Sequence, residues 1–370
     1  MVKAKSLVGL IFAWVSVALF LTLGAGWIGA LNSHGVAIGL FAWLFVAIIW
    51  AAFGVVHEAE EVAAMLGEPS GTIVLTLSIV IIEVALISAV MLGGATETTA
   101  TLARDTMFSV IMIVLNGVVG LGLLMGGLRH HELSYNLQGA SAYLSVIVPL
   151  ATIALVLPRF TASTTDGSLT TFQAVAFSLL TIALYGLLLW LQTGRHRGYF
   201  VAPSASAPQA EPLETSQPRK GKLAPHIALL LINILPIVIL SKSLGKIIDY
   251  GIEVSGAPHA LGGIIIAALV FTPEGLAALI AIRGDQLTRA INLCLGGVAS
   301  TVGLTVPAVL AIGIYTRHPV ELGLPASSIV LLSATLILSV ITFNGERATM
   351  LEGAVHLTMF AVFLVLVFSP

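Results

Sequence analysis

The stretch TIVLTLSIVIIEVALISAVML, residues 72–92, decides what kind of protein this is. It is apolar almost throughout, and about 20 such residues in a helix cross the hydrocarbon core of a bilayer. Near its middle, where water is scarcest, stands Glu83. A second apolar run, 260–282, carries Glu274 in the same way. A charged side chain at mid-membrane costs roughly 2.5–3.5 kcal/mol on insertion scales, so such residues face a protein interior and mark ion or proton paths.

The rest of the chain fits a membrane. Of 370 residues, 58% are hydrophobic and only 9% charged, too few to cover a soluble surface. A formal net charge of −2 argues against a nucleic-acid partner, which needs a basic face. The single cysteine, Cys294, excludes an internal disulfide framework and a multi-cysteine metal site. The N-terminal run after Lys3 and Lys5 is longer than the apolar region of a signal peptide, so it reads as a retained helix. No phosphate-binding loop motif occurs. No cofactor is expected beyond a transported cation and protons.

Eleven spans are expected: 6–29, 35–56, 72–93, 106–127, 141–158, 170–193, 226–248, 260–282, 290–315, 326–343 and 353–369. Each must be helical, because lipid offers the backbone no hydrogen-bond partners. The fold class is therefore an all-α membrane protein. Trp14, Trp27, Trp43, Trp50 and Trp190 mostly lie towards span ends, as interfacial tryptophans do. The Pro-, Ala- and Ser-rich segment 197–225 reads as a flexible cytoplasmic linker. It divides the chain into an N-terminal helix (1–30), a first set of five spans (31–196) and a second set of five (226–370).

With the N-terminus in the cytoplasm, eleven of the 16 Lys and Arg residues fall on the cytoplasmic side. Arg104, Arg159, Lys242, Lys246 and Arg317 fall outside. Five spans per half make the halves enter the membrane in opposite senses, an inverted repeat of the kind found in many secondary transporters. GEPSGTIVLTLSIVIIEVALI (67–87) pairs with GAPHALGGIIIAALVFTPEGLAAL (256–279): both open with Gly-x-Pro and carry a Glu deep in the next span. LARDT (102–106) and LTRAI (287–291) open the spans that follow.

Of 18 acidic residues, only Glu83 and Glu274 sit well inside apolar runs. In a low dielectric a lone carboxylate favours its protonated form, and a neighbouring cation favours the ionised form. One site then holds a proton or a metal ion, each displacing the other. Hard cations take oxygen ligands. Thr72, Thr76 and Glu83 share a helix face by spacing. Thr272 and Pro273 precede Glu274, and the proline withholds an amide and frees carbonyls. The following spans supply Ser109, Asn116, Ser300, Thr301 and Thr305. The expectation is that two acids, one from each half, meet in a shared chamber. The plain alternative is a protonated Glu bonded to a neighbouring helix.

These segments resemble the calcium/cation antiporter superfamily, in its cation/proton exchanger branch. GEPSGTIVLTLSIVIIE and ALVFTPEGLAAL look like the two copies of the motif whose last Glu binds the ion. WLQTGRH (190–196) resembles the end of the family's first half, and NGERATMLEGAVHL (344–357) its last-helix opening. The resemblance covers about residues 55–370 and is greatest to the bacterial sodium/potassium/calcium–proton antiporters. It implies that Glu83 and Glu274 bind the metal and the proton, and it raises interest in Glu68 as an entrance or loop residue. Where the family carries Gly-Asn-Ala before each Glu, this chain has Val80-Ile81-Ile82 and Phe271-Thr272-Pro273. Ca2+ is the first expectation, and the fewer oxygen ligands there leave Na+ or K+ as the alternative.

Other signals weigh less. HEAEEVAAMLGE (57–68) lacks the second His of a zinc-protease helix and reads as a solvated acidic helix end. His356, inside the last span, reads as a neutral side chain bonded to a neighbouring helix before it reads as a proton relay. Glu352 reads as a stabiliser of the last helix's N-terminus. Arg104 and Arg289 precede equivalent helices, and RHHELSY (129–135) has no metal-ligand spacing. The leading expectation is a secondary antiporter exchanging a metal cation for protons by alternating access in a bacterial plasma membrane. The alternatives are an intramembrane protease or lipid-linked transferase using the buried acids, and a passive channel.

Overall fold

The computed structural model describes residues 2–29, 31, 33–67, 70–92, 99–131, 133–164, 166–200, 223–345 and 347–369, with side chains from residue 7 onward. Twelve helices carry the described chain: α1 Val2–Thr22, the short α2 Gly24–Gly29, α3 His34–Leu66, α4 Ser70–Met91, α5 Leu102–His130 and α6 Leu137–Phe160. Then come α7 Thr171–Thr193, α8 Leu223–Ser255, α9 Ala260–Arg283, α10 Leu287–Thr316, α11 Ala326–Thr342 and α12 Met350–Phe368. Among the described residues, nine are long and apolar enough to cross a membrane, and Leu7–Thr22 and Ala326–Thr342 are shorter apolar helices. Among the described residues the one sheet is a pair of two-residue strands, β1 Leu133–Ser134 and β2 Arg347–Ala348, running antiparallel.

Two helices outrun their expected spans. α3 and α8 are each 33 residues long, where the apolar runs suggested 35–56 and 226–248. The surplus in α3, HEAEEVAAML, is polar but rich in good helix formers, so the helix continues until a glycine stops it. Gly67 takes φ 68° and its N–H bonds the Ala63 carbonyl at 3.0 Å. Gly256, with φ 65°, follows α8 at the corresponding place. Both are left-handed positions at which an L side chain would be strained.

The chain divides into two compact units, and each draws on both sequence halves. One comprises residues 1–102 and 215–273, the other 103–214 and 274–370. In the first, α3 packs along α8, α4 lies against both, and α1 covers α3 and α8. Pro236 inside α8 withholds the amide that would bond the Ile232 carbonyl. The Trp14 indole N–H from α1 donates to that oxygen instead, at 3.2 Å. Trp43 similarly donates to Ser16 Oγ at 2.8 Å, so two of the tryptophans bind helix to helix.

In the second unit α12 lies along α5, α6 lies against α10, α7 against the end of α10, and α11 against α12 and α6. The α5–α12 seam is close because glycines meet: a Cβ on Gly120 would sit 2.9 Å from His356 Cβ, and one on Gly353 would fall on the Leu124 amide. α5 and α10 each contain a π-helical stretch, Met112–Val118 and Thr301–Thr305. The second of these runs into Pro307, which withholds the amide for the Gly303 carbonyl. Capping boxes start α7 (Thr170 with Gln173) and α12 (Thr349 with Glu352). The role expected of Glu352 is met by its bond from the Thr349 amide, 2.9 Å. Leu179, Leu180 and Val365 are exposed on spanning helices, where lipid rather than water covers them.

Segment 197–225 is structured at both ends. Arg197–Phe200 forms a 3-10 turn and α8 has begun by Leu223, while 201–222 lie outside the described residues.

Candidate functional site

Glu83 occupies the fourth turn of α4 and is 0% exposed, between the buried Ile82 and, one turn on, Leu86 and Ile87. Ser78 is buried beside this face and donates its hydroxyl to the Val74 carbonyl at 2.8 Å. Thr72 and Thr76, expected on the Glu83 face, are half-buried on α4. Glu68 lies outside the described residues.

Glu274 is 6% exposed and follows Pro273 directly within α9. Pro273 has no N–H to give the Leu269 carbonyl, and Thr272 turns its hydroxyl back to the Ala268 carbonyl at 2.5 Å. Two successive carbonyls just before Glu274 are thus altered: one loses its amide and one gains a hydroxyl. That is the disturbance that concentrates oxygen near a carboxylate in an apolar helix. Glu274 belongs to the second unit, as does the buried Cys294 on α10. Ser300, Thr301 and Thr305 are all buried around the π-helical stretch of α10, and Ser300 Oγ donates to the Gly297 carbonyl at 2.9 Å. Ser109 is buried on α5.

Asn116, expected among the supporting residues, is hydrogen-bonded to two other helices. It lies in the π-helical stretch of α5, fully buried, with Nδ2 2.8 Å from Thr335 Oγ1 on α11. Its Oδ1 is 3.0 Å from His356 Nδ1 on α12. His356 Nε2 is in turn 3.0 Å from Thr342 Oγ1 on α11. The arrangement closes without a charge. Nδ1–H of a neutral imidazole donates to Asn116, and the Thr342 hydroxyl donates to Nε2. The Thr335 hydroxyl reaches the Met112 sulfur at 3.6 Å. The structural reading of His356 is therefore met: it is bonded to neighbouring helices on both sides. Below this network Tyr135 donates its hydroxyl to the carbonyls of Thr342, at 3.3 Å, and Gly345. Burial, and then the Glu352 carboxylate, push the Tyr135 phenol far above its usual range.

Thr335, Thr342 and Tyr135 were not singled out by sequence reasoning. A signal existed: Thr335, Ser339 and Thr342 fall at helical spacing on one face of an otherwise apolar helix, and all three are buried.

The acidic end of α3 corrects another expectation. Glu60 is exposed, as a solvated face requires, but Glu58 is only 6% exposed. Its Oε2 lies 2.6 Å from His226 Nδ1 at the start of α8. One turn further from the helix end, a Cβ on Gly54 would collide with Asn233 Oδ1, so the helices touch there. Among the described residues no three His, Cys, Asp or Glu side chains cluster as a metal site.

Comparison with known proteins gives the family. The profile of the family described as sodium/calcium exchanger protein matches residues 36–194 and 225–369. A putative ionic transporter, y4hA, of Sinorhizobium fredii is 41% identical over 320 residues, covering 86% of each chain. The sodium-potassium/proton antiporter ChaA of Escherichia coli is 37% identical over 339 residues, covering 90% of this chain and 89% of its own. Among solved structures, that of the Ca2+/H+ antiporter protein YfkE superposes with a TM-score of 0.72 at 17% identity. It covers 98% of this chain and 100% of its own, a likeness of fold.

Proposed function

The chain belongs to the sodium/calcium exchanger family and is a multi-pass membrane transporter rather than an enzyme, and we propose that it exchanges a metal cation for protons at Glu83 and Glu274. The observation that carries the reading is the burial of both carboxylates, at 0% and 6% exposure, in the middle of apolar spanning helices. A carboxylate there is stable either protonated or facing a cation, which is the competition an antiporter needs. Cation binding near each acid displaces its proton, the spans rearrange, and protons from the other side reset the carboxylates. The oxygens of Thr76, Thr272, Ser109, Ser300 and Thr301 and the carbonyls before Pro273 supplement the acids.

Matching features of the two sequence halves support an inverted repeat within eleven spans. α3 and α8 are equal in length, each is followed by a positive-φ glycine, and each precedes a helix bearing a buried Glu. With the N-terminus cytoplasmic, as the arginines and lysines suggest, the transported ion moves outward across a bacterial plasma membrane. Na+ and K+ are put forward by the relative named a sodium-potassium/proton antiporter, and Ca2+ remains the divalent candidate.

Everted membrane vesicles holding a pH gradient test this. Addition of Na+, K+ or Ca2+ in turn should dissipate the gradient with the wild-type chain, and Glu83→Gln or Glu274→Gln should abolish the response. A normal exchange rate in both variants would remove the site assignment. Failure of all three cations to move protons would remove the exchange itself.

A further inference from the structure

Between α6 and α7, within the second unit, runs an apolar groove of about 310 Å³ that has no part in the proposed exchange. Its α7 wall is Leu184, Leu187, Leu188 and Leu191, one face at helical spacing, and its α6 wall includes Ala142 and Val146. Leu187 is 48% exposed, so the groove opens sideways on the surface that lipid covers. One end is closed by the 3-10 turn Arg197–Phe200 and by His196.

That closure is built. The Asn136 carboxamide donates to the Gly198 carbonyl at 3.0 Å and the Asn292 carboxamide to the Phe200 carbonyl at 2.7 Å. Phe200 is buried edge-on against Tyr143 with ring centroids 5.2 Å apart, and His196 packs on Tyr199 at 4.9 Å. Side chains from the α5–α6 turn and from α10 thus hold a short loop against the end of the groove. Two features make this end polar. His196 Nδ1 is buried without a hydrogen-bond partner among the described residues, although the ring lines the groove. Arg195 and Arg197 flank it, both exposed.

We propose that this groove is a binding site for one anionic glycerophospholipid, its acyl chain along the leucine wall and its headgroup at His196, Arg195 and Arg197. An apolar trough along a spanning helix, with His196 at its end and the exposed Arg195 and Arg197 beside it in sequence, matches the two halves of such a molecule. A neutral lipid would satisfy only the trough, and a free phosphate only the cationic end. Juxtamembrane arginines attract anionic headgroups, by about fivefold in affinity each. A lipid that binds the folded protein stabilises it, increasingly as its concentration rises above the dissociation constant.

The test uses the full chain, delipidated in mild detergent, with phosphatidylglycerol, phosphatidylcholine or inorganic phosphate added separately. Bound lipid is counted by native mass spectrometry and the thermal midpoint is followed. Phosphatidylglycerol should bind as one retained molecule and raise the midpoint more than the other two. Arg195→Gln with Arg197→Gln should weaken it by an order of magnitude or more. Ser145→Leu, which puts a larger side chain into the lining, should displace the acyl chain while leaving the headgroup end intact. The proposal fails if phosphatidylcholine does as well, which would make the groove ordinary lipid contact. It fails if phosphate alone reproduces the stabilisation, which would make the end a free-anion site. It fails also if both sets of variants retain the lipid, which would leave the groove to another segment of the chain. None of these readouts depends on cation exchange.

Discussion

Adding one methyl group at Gly353 should unseat the seam between α5 and α12. The Cβ of Gly353→Ala would fall on the Leu124 amide nitrogen and stand 2.8 Å from the Gly120 carbonyl oxygen. Both are backbone atoms and cannot rotate away. Ordinary contact begins at 3.4 Å, so relieving the Gly120 oxygen alone takes 0.6 Å and the nearer Leu124 nitrogen takes more. His356 is one turn further along α12, and its Nδ1 is 3.0 Å from Asn116 Oδ1. The same displacement opens that bond to about 3.6 Å, beyond hydrogen-bonding range. Overpacking of a tight core costs about 1–3 kcal/mol, and a buried polar group deprived of its partner adds about 1–3 kcal/mol. The control is Gly186→Ala in α7, where an added Cβ meets nothing within 4 Å. There the gain in helix propensity is up to about 1 kcal/mol. Thermal denaturation in one detergent at one scan rate compares the three proteins. The expected order is Gly186→Ala at or above wild type, and Gly353→Ala well below both. Gly353→Ala melting with wild type would refute the argument that backbone contact at this glycine sets the helix separation.

Two further outcomes follow from local geometry. Trp14→Phe should destabilise the first unit by about 1 kcal/mol, because the Ile232 carbonyl loses the indole donor that replaces the missing Pro236 amide. Pro236→Ala restores an amide, so the penalty of Trp14→Phe should shrink in that background; an unchanged penalty in a double-mutant cycle would show that the indole acts by packing alone. In the loop before α7, Asp166 accepts bonds from the Ser168 hydroxyl at 2.7 Å and the Ser168 amide at 3.0 Å, which lower its pKa from the ordinary 3.8. A depressed carboxylate stabilises the fold above its unfolded pKa and loses that contribution as pH falls through the folded value. The difference in thermal midpoint between wild type and Asp166→Asn should therefore be constant above about pH 5 and vanish in more acid solution. A difference that persists at pH 3 would mean that the carboxylate charge is irrelevant there.

How much of this was legible beforehand depends on whether the deciding neighbour is near in sequence. The spanning helices were, because apolar length is a local property, and so were Glu83 and Glu274, because burial of an acid inside an apolar run needs no partner to be noticed. The Asn116–His356 pair was not, since its members are 240 residues apart and nothing along the chain couples them. Trp14 and Ile232, 218 residues apart, are hidden in the same way: Pro236 announces an orphaned carbonyl but not the donor that comes to it.

Glu58 is the instructive case, because its burial was readable and was missed. Hydropathy ends the apolar run of α3 near residue 56, and two neighbouring acids then suggest a solvated end. Helical phase says otherwise. The buried stripe Ala51, Gly54, Val55, Glu58 and Val62 recurs at intervals of three and four and passes straight through the polar segment. Glu60 lies off that stripe and is exposed. An acid held on the packed face of a helix requires a partner on the facing helix, and His226 supplies it. Residue type decides whether a stretch enters a membrane, but beyond the apolar run only helical phase separates an acid that meets water from one that meets another helix.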